Sequence, residues 1–159
     1  MKAEEVDYWP DLPGPPSDNA VVIGSEHPHL ELDSDLVERL VDQVLEGEQQ
    51  GIRRLEIILT HAQQLRNLNR EWKGADYDTD VLSFSLGHGP TIEGEVYVSL
   101  DFAEQYCQAY GATFTQEACR YIVHGLLHLL GYRDSTPEEK QIMRTKEDEY
   151  LRRTGVNGI

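Results

Sequence analysis

The segment Arg54–Thr60, RLEIILT, restricts the fold of this chain more than any other feature. Its apolar residues are β-branched or leucine and nearly continuous, which is typical of a mostly buried strand. Before it, Asp33 is a candidate N-cap, followed by apolar residues at helical spacing from Leu36 to Leu45. We therefore predict a helix from Asp33 to about Gln49, stopped by Gly51. The strand that follows is expected to lie in a sheet covered by helices.

Three further segments have the composition or alternation of strands. They are 20–24 (AVVIG), 81–86 (VLSFSL) and 95–100 (EVYVSL), and the turn-rich HGPTIEG is expected to connect the last two. The remaining helices are expected over about 62–71, 101–110, 114–130 and 137–153. These elements predict an α+β fold in a single domain, with one small, roughly four-stranded sheet covered by about five helices.

Length and composition define the class of protein. With 159 residues, 39% of them apolar and 27% charged, the chain has the size of one globular domain. Residues 1–19 contain four prolines and a glycine, so we expect a flexible proline-rich arm followed by a single domain over 20–159. No apolar run reaches the roughly 18 residues of a membrane span, and the first residues lack an apolar signal core. We expect a cytoplasmic protein with no membrane partner and with reduced Cys107 and Cys119.

The formal net charge of −15 is concentrated near the N-terminus. Residues 1–50 carry thirteen acidic and two basic side chains, whereas residues 51–159 carry sixteen and twelve. A general basic face for nucleic acid is therefore absent, and any contact with nucleic acid is expected to be local and assisted by a metal ion. Only four of the fourteen basic residues are lysine, a composition that would also suit a salty cytoplasm.

The segment HGLLHLLGYRD, from His124 to Asp134, carries the chemistry. His124 and His128 are four residues apart, so both imidazoles lie on one helical face and can bind one ion. Gly131 is expected to end the helix, which lets the chain fold back and bring Asp134 to the same ion. Two imidazoles and one carboxylate leave a position open, as in catalytic zinc sites. The alternative is that both histidines are merely polar positions on a leucine-rich helix.

The spacing HxxxHxxGxxD parallels the metzincin signature HExxHxxGxxH. Asp134 replaces the last histidine and remains an oxygen ligand, whereas Gly125 replaces the glutamate that acts as general base in HExxH proteases. The sequence therefore predicts a metal site on a C-terminal helix and the loop after it, but not a protease.

Four segments together resemble the YbeY family, bacterial metal-dependent endoribonucleases that mature ribosomal RNA. Besides the histidine motif they are LNREWKGADYDTDVLSF (68–84), GEVYVSL (94–100) and PEEKQIMRTKEDEYL (137–151), in matching order over roughly residues 54–152. The resemblance implies that His124, His128 and Asp134 bind one Zn²⁺. Most members have histidine at the third position, so Asp134 is a departure that changes the charge and softness of the ligand set.

The resemblance also implies catalytic roles for His124, His128 and Lys73. Lys73 aligns with an arginine of the family and keeps its positive charge, but it lacks the bidentate fork that grips a phosphate. The sequence does not show which group moves the proton, and Asp78, Asp80 and the 2′-hydroxyl of the substrate remain candidates.

The implied substrate is single-stranded ribosomal RNA, cut during 3′-end maturation of the small-subunit rRNA and during ribosome quality control. The implied partners are the small ribosomal subunit, with ribosomal proteins or an Era-type GTPase as further candidates, and the oligomeric state stays open. Net negative charge fits RNA binding poorly, so we expect docking through protein contacts or a local positive cleft near the metal and Lys73.

Two alternatives remain open from the sequence: a non-catalytic ribosome assembly factor with a structural metal, and a minimal metal-dependent hydrolase of another substrate. Tyr132 is expected to pack beside the metal loop, with base stacking as the alternative. Two groups of residues are expected at the surface: the other histidines (His27, His29, His61 and His88), and the bases of the last helix (Arg144, Lys146, Arg152 and Arg153).

Overall fold

The computed structural model describes residues 20–87 and 90–156, so the predicted arm over 1–19 and His88 lie outside the described residues. The strands are β1 (Val21–Ser25), β2 (Gly51–Thr60), β3 (Val81–Ser85) and β4 (Thr91–Ser99). The helices are α1 (Ser34–Gly47), α2 (Ala62–Lys73), α3 (Leu100–Tyr106), α4 (Phe114–Leu129) and α5 (Pro137–Thr154), with a 3-10 turn at Gln108–Tyr110. Four strands and five α-helices in this part of the chain confirm the predicted single-domain α+β fold. Within the same ranges, no helix combines the length and apolar character needed to cross a membrane.

The sheet has the strand order β1-β2-β4-β3. β2 pairs in parallel with both β1 and β4, whereas β3 runs antiparallel to β4. β2 is thus a central strand, which explains the nearly continuous apolar run of its second half. Leu55, Ile57 and Leu59 are fully buried on one face, and Ile58 and Thr60 are buried on the other.

Helix α4 is the central helix of the domain. It packs on β3 and β4 and is flanked by α1, α3 and α5. Six apolar side chains of α4 are fully buried: Ala118, Cys119, Ile122, Val123, Leu126 and Leu127. Because this apolar face is fixed against the sheet, the positions of the other side chains on α4 relative to the sheet are fixed as well.

Gly125 sets the distance between α4 and the sheet. A Cβ atom at this position would lie 2.6 Å from Val96 Cγ1 and 3.0 Å from Ser83 Oγ. The Ser83 hydroxyl also donates a hydrogen bond to the Gly125 carbonyl oxygen over 2.8 Å. The position that holds glutamate in HExxH proteases is therefore a packing position against the sheet here.

Among the predicted boundaries that were wrong, two lie at a glycine. β4 begins at Thr91 rather than Glu95, so Gly94 lies within the strand and not in a turn. A Cβ atom on Gly94 would lie 2.7 Å from the Phe84 carbonyl oxygen and 2.9 Å from Leu129 Cδ2. The glycine therefore permits close approach of the neighbouring strand and of α4.

The second of these boundaries is the end of α1. The helix ends at Gly47, where a Cβ atom would lie 2.5 Å from the Tyr150 ring, and Gly51 begins β2 instead of stopping the helix. The chain turns between them at Gln49, whose φ is 55°. The packing of Gly47 against Tyr150 of α5 decides where α1 ends. The local sequence pattern gives no sign of this contact between distant elements.

His27 was wrongly predicted to lie at the surface. Its side chain is only 2% exposed, and its Nε2 lies 2.7 Å from Asp101 Oδ1. Because Nδ1 accepts a hydrogen bond from the Leu30 backbone N–H, the proton of the ring is on Nε2, which donates a hydrogen bond to Asp101. Burial by itself raises the pKa of Asp101, but hydrogen bonds from His27 and from the Ala62 backbone N–H outweigh it and hold the pKa below its usual value.

Candidate metal centre

The helix α4 and the loop after it position the three predicted ligands. α4 begins with a capping box between Thr113 and Gln116 and ends at Leu129, one residue after His128. Gly131 has a φ of 101°, a conformation that favours glycine, and its N–H donates to the His128 carbonyl oxygen. The loop then ends at a second capping box, between Thr136 and Glu139, which begins α5. A short segment fixed at both ends therefore carries Asp134 back toward α4.

The structure brings His124, His128 and Asp134 together as the sequence predicts. The two Nε2 atoms are 3.0 Å apart, and Asp134 Oδ2 lies 3.1 Å from His124 Nε2 and 3.3 Å from His128 Nε2. Ligands about 2.0–2.1 Å from a tetrahedral zinc ion are separated by roughly 3.3 Å. The spacing of the donor atoms thus fits a small tetrahedral cation with a position left open.

The outer nitrogen of each imidazole also has a hydrogen-bond partner. His128 Nδ1 donates to the Tyr132 carbonyl oxygen over 3.1 Å, and His124 Nδ1 donates to Glu147 Oε2 over 2.7 Å. A carbonyl oxygen only accepts, so His128 Nδ1 carries a proton, and a metal ion would bind at Nε2. The same arrangement holds the ligand tautomer in known metal sites. Both Nε2 atoms and a carboxylate oxygen therefore converge on one point where a metal ion would bind.

Glu147 was not recognised from the sequence, although it lies in the acidic segment after the motif. Its carboxylate is 5% exposed and also accepts a hydrogen bond from Arg120, over 3.0 Å, while Arg120 donates to Asp148 over 2.8 Å. Burial lowers the pKa of His124, but the hydrogen bond and charge of Glu147, together with nearby Asp134 and Asp80, raise it above its usual value. Glu147 therefore orients His124 and makes it more basic.

The three ligands lie between two grooves. The larger, of about 560 Å³, is lined by aromatic side chains of α3, the 3-10 turn and α4, and by basic side chains of α5. The smaller, of about 330 Å³, is lined by Lys73 and by β3. His124, Asp134 and Asp80 border both grooves. A chain-like substrate crossing the centre would therefore contact both grooves.

A sequence model of the family described as "Endoribonuclease YbeY" matches residues 23–155 of this chain. The chain belongs to the YbeY family. Relatives named "Endoribonuclease YbeY" include one from Salinibacter ruber, 42% identical over 151 residues, with 89% of this chain and 93% of the relative covered. Another, from Chlorobium phaeovibrioides, is 44% identical over 102 residues, with 64% and 69% covered.

A solution structure from Thermotoga maritima also resembles this chain, with a TM-score of 0.58 and 26% identity over 84% of this chain and 88% of that one. These matches confirm two predictions from the sequence: membership of the YbeY family and an enzyme of the nuclease class.

Among the other predicted site residues of this YbeY-family chain, Lys73 is exposed at the end of α2 and borders the smaller groove. Its Nζ lies 5.5 Å from the centre of the Phe84 ring. Asp78 is paired with Arg66 at 3.5 Å, whereas Asp80 faces the grooves, and burial raises the pKa of Asp80. Of the two carboxylates considered for proton transfer, only Asp80 is therefore at the centre.

A second set of contacts missed from the sequence anchors the metal loop. The Tyr132 hydroxyl donates to Glu48 Oε1 over 2.6 Å, and Glu48 Oε2 accepts from Lys146 over 3.0 Å and from the Tyr150 hydroxyl. Burial raises the pKa of Glu48, but these three donors outweigh it and hold the pKa below its usual value. Tyr132 thus packs in the loop, and its carbonyl oxygen is the acceptor for His128.

The same network corrects the interpretation of α5. Lys146 was predicted on a solvated face, but it is half-buried and paired with Glu48. Arg144, in contrast, is exposed and borders the larger groove.

Proposed function

We propose that this chain is a zinc-dependent, single-strand-specific endoribonuclease that hydrolyses phosphodiester bonds in ribosomal RNA. It acts in the cytoplasm, in 3′-end maturation of the small-subunit rRNA and in ribosome quality control, with residues 20–159 as the catalytic domain. The observation that carries the proposal is the convergence of His124, His128 and Asp134, with both outer imidazole nitrogens donating to oxygen acceptors. Family membership supplies the reaction class.

His124, His128 and Asp134 hold the zinc ion. When bound, the ion supplies Lewis-acid polarisation to a phosphodiester and to water. Asp134 contributes a negative charge where most relatives are expected to have a neutral imidazole. The ligand set is therefore harder and more negative, and it lowers the positive charge that the centre presents to RNA.

Lys73 binds a phosphate oxygen of the substrate and balances the charge that develops on it during cleavage. Its place on the rim of the smaller groove lets it reach a phosphate beside the three ligands. A lysine ammonium is a point charge, so it contributes strength rather than a fixed bidentate geometry.

Asp80 accepts the proton of the attacking hydroxyl. It borders both grooves together with His124 and Asp134, whereas Asp78 is engaged by Arg66. The position that is glutamate in HExxH proteases cannot supply this base, because Gly125 packs against Val96 and Ser83. The role is therefore assigned to Asp80, which borders both grooves.

The charge of −15 makes strong binding to isolated RNA unfavourable. Recognition is therefore shared between local contacts at the two grooves and docking on the small ribosomal subunit, through ribosomal proteins or an Era-type GTPase. Tight and strongly salt-dependent binding of the isolated protein to any RNA would contradict docking through protein contacts.

The test compares end-labelled single-stranded rRNA fragments incubated with zinc-loaded wild type, His128→Ala and Lys73→Ala. We expect cleavage by wild type only, with Lys73→Ala retaining one zinc per chain and His128→Ala losing it. Arg152→Gln, on the exposed end of α5, is the matched control for charge and should cleave normally.

Equal cleavage by wild type and His128→Ala would indicate a contaminating nuclease and refute the assignment. No cleavage by wild type, together with loss of both stability and ribosome association in His128→Ala, would instead support the assembly factor with a structural metal. Metal-dependent turnover of peptides would support the hydrolase of another substrate.

A further inference from the structure

The larger groove combines aromatic and basic side chains with the acidic Asp80, Glu117 and Glu147 beside the ligand cluster. Its aromatic lining is Phe102, Tyr106, Tyr110 and Tyr121, and Lys140 and Arg144 form its basic rim. We call this groove the aromatic cleft. Its volume of about 560 Å³ falls within the roughly 300–1,000 Å³ of typical ligand sites.

Two of its tyrosines are unusually exposed for large aromatic residues. Tyr110 is 67% exposed and Tyr106 36% exposed, whereas Tyr121, deeper in the cleft, is 6% exposed. Tyr106 leans on Phe102, with ring centroids 5.2 Å apart, so its ring has support from behind. Tyr110 ends the 3-10 turn, and Gly111 follows in the left-handed conformation. The exposed rings are thus held at the mouth of the cleft by local structure.

The two basic residues at the rim are free to bind an anion. Lys140 and Arg144 are exposed, one helical turn apart on α5, so their Cβ atoms are about 5–6 Å apart. Within the described ranges neither forms an ion pair, whereas Arg120, deeper in the cleft, is saturated by Glu147 and Asp148. Unpaired cations are notable in a chain with a net charge of −15.

We infer that the aromatic cleft binds one unpaired nucleotide beside the scissile phosphate, with its base on Tyr110 and Tyr106 and the next backbone phosphate on Lys140 and Arg144. This inference rests on the proposed function, because His124 and Asp134 at the end of the cleft mark where the scissile phosphate lies. Exposed aromatic rings beside cations are the usual means of holding single-stranded nucleic acid.

The inference supplies a physical reason for single-strand specificity. A base can lie on a tyrosine ring only when it is unpaired and unstacked, so a duplex cannot use the cleft without losing pairing energy. The smaller groove, lined by Lys73, offers a charge but no exposed aromatic residue among its described lining. Base recognition is therefore assigned to one side of the centre and phosphate binding without base contact to the other.

The test measures binding separately from cleavage, by fluorescence anisotropy of a labelled single-stranded RNA with chelator present. We expect Tyr110→Ala to bind about fivefold to a hundredfold more weakly than wild type, the range found for the loss of one stacked base. Tyr110→Phe keeps the ring and should bind like wild type. Tyr77→Ala is the matched control, since Tyr77 is 61% exposed but lines neither groove.

A second pair of variants tests the phosphate contact. Each lost phosphate contact should reduce the slope of log affinity against log salt by about 0.7 for a single strand. The double variant Lys140→Gln/Arg144→Gln should therefore have a shallower slope than Arg152→Gln, which lies outside the cleft on the same helix.

An RNA with one abasic position, moved along the strand, then locates the base. At one position, removal of the base should weaken binding to wild type but leave the affinity for Tyr110→Ala unchanged, each compared with the intact RNA. Equal affinities of wild type, Tyr110→Ala and Tyr77→Ala, or wild type that binds no single-stranded RNA, would overturn the inference. Tyr110-dependent binding without metal-dependent cleavage would keep the subsite and refute the proposed nuclease, so the two failures are distinguishable.

Discussion

Glu147→Gln is expected to weaken zinc binding tenfold to a hundredfold without unfolding the protein. Glu147 Oε2 accepts the hydrogen bond of His124 Nδ1 over 2.7 Å from a site that is 5% exposed, so water cannot replace the carboxylate. Glutamine retains the shape and an acceptor oxygen but loses the negative charge that raises the basicity of the imidazole.

The magnitude follows from the number of ligands affected. Loss of the hydrogen-bond acceptor of one metal-binding histidine lowers metal affinity about tenfold to a hundredfold, or roughly 1.4–2.7 kcal/mol. His128 keeps its bond to the Tyr132 carbonyl oxygen and Asp134 is unchanged, so binding is weakened rather than abolished. At saturating zinc the melting temperature should rise by roughly 3–11 °C less than in wild type, given the size of the chain.

Asp148→Asn is the matched control. Asp148 is the next residue of α5, accepts from the same Arg120 over 2.8 Å and carries the same charge, but it does not contact a ligand. The dissociation constant for zinc is measured by competition with a chromophoric chelator at neutral pH, beside thermal unfolding of the metal-free proteins. If both variants bind zinc like wild type, or are weakened equally, the orienting role of Glu147 is refuted.

Three further outcomes are expected. Glu48→Gln should lower the free energy of unfolding by roughly 1–3 kcal/mol in urea, because a buried acceptor of three donors loses its charge; an unchanged midpoint would contradict this. Gly125→Ala should destabilise the protein by roughly 1 kcal/mol, since a packing cost of about 1–3 kcal/mol exceeds the helix-propensity gain of about 1 kcal/mol. The cost should shrink in a Val96→Ala background, which removes the closest contact but not those with Ser83 and Val81, and a more stable single variant would refute the packing argument. The depressed pKa of Asp101 stabilises the fold above the usual aspartate pKa of about 3.9, so the stability difference between wild type and Asp101→Asn should disappear as the pH falls through the folded-state pKa; a difference independent of pH would exclude this linkage.

The sequence predicted the type and order of every strand and α-helix in the described residues, because the periodicity that defines each element is local. The end of the helix predicted over 101–110 was wrong, since α3 ends at Tyr106 and a 3-10 turn follows. It also predicted the three residues of the ligand cluster, since two of them share a helical face and the third follows a glycine that reverses the chain. The wrong boundaries at Gly47 and Gly94 have one cause. Each glycine permits contact with a residue of a distant element, Tyr150 or Leu129. No local pattern distinguishes a glycine in such a contact from a glycine in a turn.

The groups around the ligand cluster could be located only in the folded chain. Glu147 lies 23 residues from His124, and Glu48 lies 84 residues from Tyr132 and 102 from Tyr150. Charge and hydropathy patterns place such residues on solvated helix faces, whereas packing of α1, α4 and α5 buries them beside the site. The aromatic cleft has the same origin, because its walls come from α3, the 3-10 turn, α4 and α5.

The sequence by itself determined the elements of this protein and the identity of its candidate metal ligands, because helical periodicity and the i, i+4 spacing act over a few residues. Tertiary structure alone decided the strand order, the acceptors that fix the two imidazoles, and the groove lined by aromatic rings. The physical reason is that hydrogen bonds and burial depend on which surfaces meet, and distant surfaces meet only when the apolar faces of several elements are buried together.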